Sequence, residues 1–270
     1  QIDLALAGGT ITTGIVAVTL MGTAIGGIQV GFDKSMSIFG DDVLYVGQWP
    51  WRKVDDWWNY RDRKKMKTEY ADALNRMIAM TPNSNLMIAI PTSSVIRSVK
   101  YADSEVGNVL VRGTVSDYII TSTFDFKEGR FFNDLESRGG ANVCVVGYDV
   151  ADALFPSASP IDKSVLINGQ PFKIVGVIAR QGSFLGLFSL DSIVVMPLPA
   201  FQKYFTAKSE ADILVKVKDK TKLAEAKDEL DGLMRRVRGL PPEKNDDFRI
   251  NERPVMKSPA MAMEFLIGSS

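Results

Sequence analysis

Residue types that do chemistry are few in this 270-residue chain, and they stand apart from one another. There is no histidine, which removes Ser-His-Asp and Cys-His nucleophile systems and most zinc sites. The only cysteine, Cys144, rules out an intrachain disulfide and a Cys cluster for metal. Its setting, Asn142-Val143-Cys144-Val145-Val146, predicts a buried strand thiol. Gln181-Gly182-Ser183-Phe184-Leu185-Gly186 misses G-x-S-x-G by one place, and without histidine such a serine lacks its base. No Gly-Lys dipeptide occurs, so no G-x-x-x-x-G-K-[ST] phosphate loop is present. The acid pairs Asp41-Asp42, Asp55-Asp56 and Asp246-Asp247 have the groups for calcium ligation or acid–base work. All three fall in predicted loops or element ends without EF-hand spacing, where carboxylates are ordinarily solvated. A Ser/Lys dyad finds no S-x-x-K in a helical context. The residues therefore predict no catalytic, cofactor-binding or metal site.

Charge adds a second exclusion. Lys plus Arg equals Asp plus Glu at 32 each, and no basic run interleaved with aromatics tracks a phosphate backbone, so nucleic acid is not an expected partner. The length accommodates one large domain or two small ones.

The first element that must position anything is a membrane segment. Leu4 to Phe32 is 29 residues without a charge, bounded by Asp3 and Asp33, whereas a transmembrane helix needs about 20. No Lys or Arg precedes the run, which favours a span over a cleavable signal peptide. Gly22 and Gly26 form one G-x-x-x-G, and Gly27 and Gly31 another. Such spacing lets helix backbones approach closely in lipid, so these glycines are expected to pack the helix against other membrane helices.

After the span, Val43 to Gly47 reads as a strand. Trp49, Trp51, Trp57 and Trp58, all four tryptophans, follow within ten residues and are a candidate partner contact, either as an interfacial belt or as a loop packed on the domain. Thr68 is placed to cap a helix whose apolar stripe is Tyr70, Ala73, Leu74, Met77 and Ile78, with Thr81-Pro82 as its stop. Strands are expected from Leu86 to Gly113, a helical turn at 116–121, and a strand at Asn142 to Val146. Asn168-Gly169 joins Val165-Leu166-Ile167 to Phe172–Ala179 as a hairpin. Ser192 to Met196 and the alternating Ile213, Val215 and Val217 are further strands. Leu223, Ala226, Leu230, Leu233, Met234 and Val237 line a helix closed by Gly239 and Pro241, and Phe248-Arg249-Ile250 is a last strand. From Ala260 the chain turns apolar again, as at the start of a second membrane helix.

The fold class expected is α+β: a transmembrane helix (4–32), then two strand–helix–strand units (41–92 and 210–253) forming a porter-like subdomain. A β-rich subdomain (93–209) is inserted between them, and 260–270 opens a second span.

At the central strands the wording resembles a known family. Glu128-Gly129-Arg130-Phe131-Phe132 precedes Asn142 to Gly147, then come Leu154-Phe155, Ser159-Pro160-Ile161-Asp162-Lys163 and Phe172-Lys173-Ile174-Val175-Gly176-Val177-Ile178. This is similar to the extracytoplasmic core domain of MacB-type ABC transporter permeases, whose pattern runs G-R-F-F, a V-V-L-G-like strand, L-F, D-P-I-G-K and F-x-V-V-G-V. Asp162 stands where that family usually has glycine, and the Trp-rich stretch reads as an insertion. The resemblance implies a four-helix permease in the bacterial inner membrane with most of this chain outside the cytoplasm. It implies an ABC-type ATPase, fused or separate, a second permease subunit, membrane lipid and a periplasmic adaptor protein as partners. ATP hydrolysis elsewhere would drive movement of the outer domain for export, efflux or lipoprotein release. The alternative is a single-pass anchored adaptor or sensor module; an anchored hydrolase is the weaker rival.

Overall fold

The computed structural model describes residues 40–50, 63–121, 124–181, 183–184, 188–189, 191–205 and 210–252. The expected span at 4–32, with Gly22, Gly26, Gly27 and Gly31, lies outside these residues, as do Trp51, Trp57, Trp58, Asp55-Asp56 and the apolar tail from 260. No described helix is long and apolar enough to cross a membrane.

Strands β1 (Val43–Gly47), β2 (Leu86–Tyr101), β11 (Glu210–Val217) and β12 (Arg249–Glu252) lie in the order β12-β1-β11-β2. Each neighbouring pair is antiparallel. Helix α1 (Glu69–Met80) connects β1 to β2, and α5 (Leu223–Arg238) connects β11 to β12. Two β-α-β units are thus interleaved in the split arrangement of ferredoxin-like folds. Both helices lie on one face because each is apolar there only. Ala71, Leu74 and Ile78 of α1 and Ala226, Leu230, Leu233 and Met234 of α5 are buried in one core with Leu44, Val46, Ala89, Ile213 and Val215.

The stops and starts follow local chemistry. Gly239 takes the left-handed C′ conformation (φ 64°) that ends α5. Thr68 precedes α1 but makes no side-chain cap, a correction to the sequence expectation. Its hydroxyl accepts instead from Gln202 Nε2 at 3.1 Å. The buried stripe of α1 also falls on Ala71 rather than Ala73, one side of the predicted face.

The strands between β2 and β11 close on themselves. Going round, β2 pairs with β3 (Ser104–Thr114), β3 with β10 (Ile193–Pro197), β10 with β5 (Val143–Val146) and β5 with β7 (Gln170–Ile178). Then β7 pairs with β6 (Ser164–Ile167), and β6 returns to β2 at Val99 and Lys100. Strand β4 (Phe126–Gly129) adds to the outer side of β7. One face of this circuit fills with Val99, Val109, Cys144, Val165, Phe172 and Val194, and helices α3 (Tyr148–Leu154) and α4 (Leu198–Phe205) pack on it through Leu154, Phe201 and Phe205. A 3-10 turn at Ser116–Ile120 packs on the other side through Tyr118, and a short α2 (Asp134–Arg138) adjoins it, Ser137 Oγ accepting from the Ser116 N–H at 3.1 Å.

Two of the family-like glycines have a common cause. Gly129 and Gly176 are directly paired across β4 and β7. A Cβ on Gly176 would run into the Arg130 carbonyl oxygen, and Gly129 is left-handed (φ 74°) with the Val175 carbonyl where its own Cβ would be. The strands approach too closely there for any side chain. Asp162, the residue in the expected glycine's place, is also left-handed at φ 64°. The backbone conformation that suits glycine is kept, and the carboxylate pairs with Lys173 at 2.7 Å.

Strand β2 is the shared member. Its 16 residues pair with β11 over Leu86–Ser94 and with β3 and β6 from Thr92 to Tyr101. One ten-stranded sheet therefore runs through the whole described fold.

Candidate functional site

Two places join the parts of this fold. The first is the end of the ferredoxin-like layer where the chain comes in and goes out. Val43 opens β1 and Glu252 closes β12, and the antiparallel register sets Leu44 against Glu252. The two chain paths are therefore neighbours at one end of the sheet. The incoming residues are tied to the β11–α5 connection. Asp42 pairs with Lys216 at 2.6 Å, its backbone oxygen accepts from Val217, and Asp41 pairs with Lys220 at 3.2 Å. On the outgoing side Glu252 pairs with Lys227 of α5 at 3.1 Å. Pairs this exposed stabilise by little individually. Their number on one short segment fixes its direction.

The second place is the back of the sheet, away from α1 and α5. Val43, Tyr45, Ile90 and Leu214 of the ferredoxin-like layer share a core with Tyr118, Phe131, Phe132, Val145, Val175 and Val195. Phe131 and Phe132 stack at 4.1 Å between centroids. The two halves are thus joined by buried apolar surface as well as by a strand. Packed side chains transmit displacement because interiors are close-packed and compress little.

Arg112 of β3 lies within this junction. Its Nη1 donates to the Tyr118 hydroxyl at 2.7 Å, while its buried Nε has no hydrogen-bond partner. Burial disfavours its charge, but the Tyr118, Asp212 and Tyr45 oxygens more than offset this and hold the guanidinium above its ordinary pKa. Thr92 and Thr114, opposite one another on β2 and β3, are buried nearby, and Thr114 Oγ1 donates to the Pro91 carbonyl at 3.0 Å. Asp212 is in β11 and Arg112 in β3, so the electrostatic contact runs from one half to the other. Sequence reasoning passed over Arg112, because a lone arginine in an alternating strand ordinarily marks the solvent face.

The sequence-predicted chemical groups turn out to be dispersed. Asp246 and Asp247 are ion-paired to Arg235 and Arg238, with Arg238 Nη2 at 2.7 Å from Asp247 Oδ2. Asp41 and Asp42 hold the lysines described above. Cys144 is buried in the strand core, and burial alone pushes its thiol well above the ordinary range, so it is a poor nucleophile. Ser183 lies in a two-residue strand (β8, Ser183–Phe184) paired with Phe188–Ser189 (β9), not at a strand-to-helix elbow. Among the described residues no group of three or more Asp, Glu or Cys could hold a metal ion. A cleft of about 500 Å³ beside β4 and β7 is lined by Arg130, Glu136, Asp162 and Lys173. Its charges face each other, Arg130 on Glu136 at 2.7 Å and Lys173 on Asp162. Trp49, the described member of the tryptophan group, is 43% exposed just past β1, and its carbonyl accepts from Asn251 Nδ2 at 3.0 Å. That end of β1 is opposite the one at which the chain comes in.

Fold and junction together define a class: an α+β domain of two halves sharing one sheet, with both chain paths at one end. The sequence profile of the MacB-like periplasmic core domain matches residues 4–233, and the chain belongs to that family. Among curated proteins it is 24% identical over 228 residues to the pyoverdine export ATP-binding/permease protein PvdT of Pseudomonas aeruginosa, covering 84% of this chain and 32% of that protein. It is 26% identical over 193 residues to the macrolide export ATP-binding/permease protein MacB of an Azoarcus species, covering 71% of this chain and 28% of that protein. The chain thus spans about a third of the length of the curated relatives it matches. Of solved structures, the periplasmic region of MacB from Actinobacillus actinomycetemcomitans superposes with TM-score 0.63 at 17% identity, over 87% of this chain and 97% of that one. The extracellular domain of the ABC-type transporter YknZ from Gram-positive bacteria gives 0.59 at 15%, over 78% and 100%. Both likenesses are of fold.

Proposed function

We propose that this chain is the first membrane helix and outer domain of a permease subunit of a MacB-type ABC transporter. ATP hydrolysed by a cytoplasmic partner ATPase moves the outer domain, in a bacterial inner membrane, for export, efflux or lipoprotein release. Residues 41–92 and 210–253 form the porter-like part, and 93–209 the inserted part that it moves. The chain itself is non-catalytic. It pairs with a second permease subunit and meets a periplasmic adaptor protein, with Gly22, Gly26, Gly27 and Gly31 packing the moving helix and the Trp49–Trp58 stretch available for partner contact.

One observation carries the reading beyond family membership: Leu44 and Glu252 are neighbours in the sheet. An uncharged 29-residue run precedes the first, and an apolar stretch follows the second. Two membrane helices leading into adjacent strands of one sheet would apply any relative displacement directly to β1 and β12. The shared core behind the sheet would pass it to the inserted part, a coupling between distant sites through a two-state element.

The test is co-purification. The tagged full-length protein, extracted in mild detergent, is expected to bring a P-loop ATPase in stoichiometric amount with vanadate-sensitive turnover. Recovery of the chain alone, even after crosslinking in intact membranes, would overturn the transporter reading in favour of an anchored adaptor.

A further inference from the structure

Strand β2 is an edge strand over part of its length. Strand β11 lies along one side of it from Leu86 to Ser94, but β3 joins the other side only at Thr92. Among the described residues no strand borders Leu86–Pro91 on that second side. The stretch is wholly apolar, and the chain carries no charge from Met77 to Ile96. An uncharged apolar edge is a template for another strand. It suits above all the same edge of a second copy, since two such edges meet antiparallel about a two-fold axis.

Each outward-facing place on this edge is closed by a different device. Met87 is the extra residue where the pairing sets Leu86 and Ile88 against Val217 and Lys216, and such a bulge spoils the regular spacing a new strand needs. Pro91 has no N–H to give, and its carbonyl accepts from Thr114 Oγ1 at 3.0 Å. Between them, Ala89 stands opposite Val215 and turns both its backbone groups away from β11. Asn75 of α1 takes both. Its Oδ1 accepts from the Ala89 N–H at 2.7 Å, and its Nδ2 donates to the Ala89 carbonyl at 2.8 Å. A residue of a neighbouring antiparallel strand makes the same two bonds with its own backbone. Asparagine is a poor residue for a helix interior, so this contact, rather than the helix, accounts for its place in α1.

We infer that Asn75 is an edge guard: it stands in for a neighbouring strand at Ala89 and so keeps β2 from joining the β2 of a second copy of this chain. The full-length protein in mild detergent is followed by light scattering over a concentration series, with urea unfolding of each variant alongside. Asn75→Ala is expected to raise the particle mass with concentration to about twice the parent's or more, as edges join in pairs. Asn75→Ala/Met87→Lys places a charge on the freed edge. It is expected to keep the parent's mass while unfolding as readily as Asn75→Ala. Tyr118→Phe also takes a partner from a buried polar group but leaves the edge closed, and it too is expected to keep the parent's mass. Should Asn75→Ala not fold, Asn75→Ser is read in the same way. A folded Asn75 variant that keeps the parent's mass at every concentration would overturn the guard. So would association of Asn75→Ala/Met87→Lys or Tyr118→Phe to the extent seen with Asn75→Ala, because lost stability alone would then account for it.

Discussion

Arg238→Ala removes one guanidinium that does four things at the end of α5. It pairs with Asp247 (Nη2 to Oδ2, 2.7 Å), donates to the Lys64 carbonyl at 2.8 Å, approaches Met66 Sδ at 3.9 Å, and lies 5.4 Å over the Tyr70 ring. The arginine side chain is 1% exposed and that of Asp247 18%. Removing one partner of a pair this dry leaves the other charge buried, which costs about 3–5 kcal/mol. Lost cation–π contact adds about 0.5–2 kcal/mol, part of it already counted in the first figure. A loss near 4 kcal/mol is a large share of the ~5–15 kcal/mol that stabilises a typical domain. Urea unfolding followed by tryptophan fluorescence reads it, with Lys227→Ala as the comparison. That lysine pairs with Glu252 at side-chain exposures of 39% and 46% and should cost below about 1 kcal/mol. The double variant Arg238→Met/Asp247→Leu should recover most of the loss, since an apolar replacement leaves no orphan charge. An Arg238→Ala cost no greater than that of Lys227→Ala would refute the reasoning. So would a double variant as unstable as the single one.

Tyr118→Phe leaves Arg112 Nη1 without its acceptor beside an Nε already unpartnered, and a loss of about 1–3 kcal/mol in urea unfolding is expected. Cys144 should resist maleimide in the native protein and react completely in denaturant; rapid native labelling would contradict its burial. Asp162→Gly should be within about 1 kcal/mol of the parent, because relief of the left-handed strain offsets loss of an exposed ion pair, whereas Asp162→Val should cost more; thermal melts separate the two. Asp231 is held above the ordinary carboxylate range, first by burial and then by Asp246, so its ionisation works against the fold at neutral pH. Its favourable contribution is present below the unfolded value of about 3.9 and lost as pH rises through the folded one. Asp231→Asn should therefore raise the melting temperature slightly at pH 7 and have no effect near pH 3.

Local signals in the sequence are legible where one residue decides the geometry. Asn168-Gly169 gave its hairpin because both residues must be left-handed, and they are, at φ 52° and 76°. The stop at Gly239 is legible for the same reason, while the stripes of α1 and α5 follow from helical spacing, with Ala71 in place of Ala73 in α1. Three short helices are not legible in this way. The sequence did hold a signal for α2: Asn133 and Glu136 form a capping box, each bonding the other's backbone N–H. That signal is weak in the sequence because no apolar run stands behind it. Helix α4 follows directly on Pro197 with Leu198, Phe201 and Phe205 at helical spacing, a pattern masked by the strand before it. Closure of β6 back onto β2 joins residues nearly seventy apart, and no local residue specifies it. The junction was hidden likewise. Arg112 and Tyr118 stand only six residues apart, but Asp212 comes near them through long-range strand pairing alone, and arginine in a strand carries no mark of burial until its neighbours are known.

The central claim is that nucleotide-driven movement of the membrane helices reaches the inserted half through the shared sheet. Spin labels at Met80→Cys in the ferredoxin-like half, measured between the two subunits of the assembled transporter, and at Leu166→Cys in the inserted half read this by pulsed dipolar spectroscopy. The account predicts that trapping with ATP and vanadate shifts the inter-subunit distances at both positions relative to the nucleotide-free state. A shift at Met80→Cys with the Leu166→Cys distance unchanged would contradict transmission through the junction, and no shift at either would contradict coupling altogether.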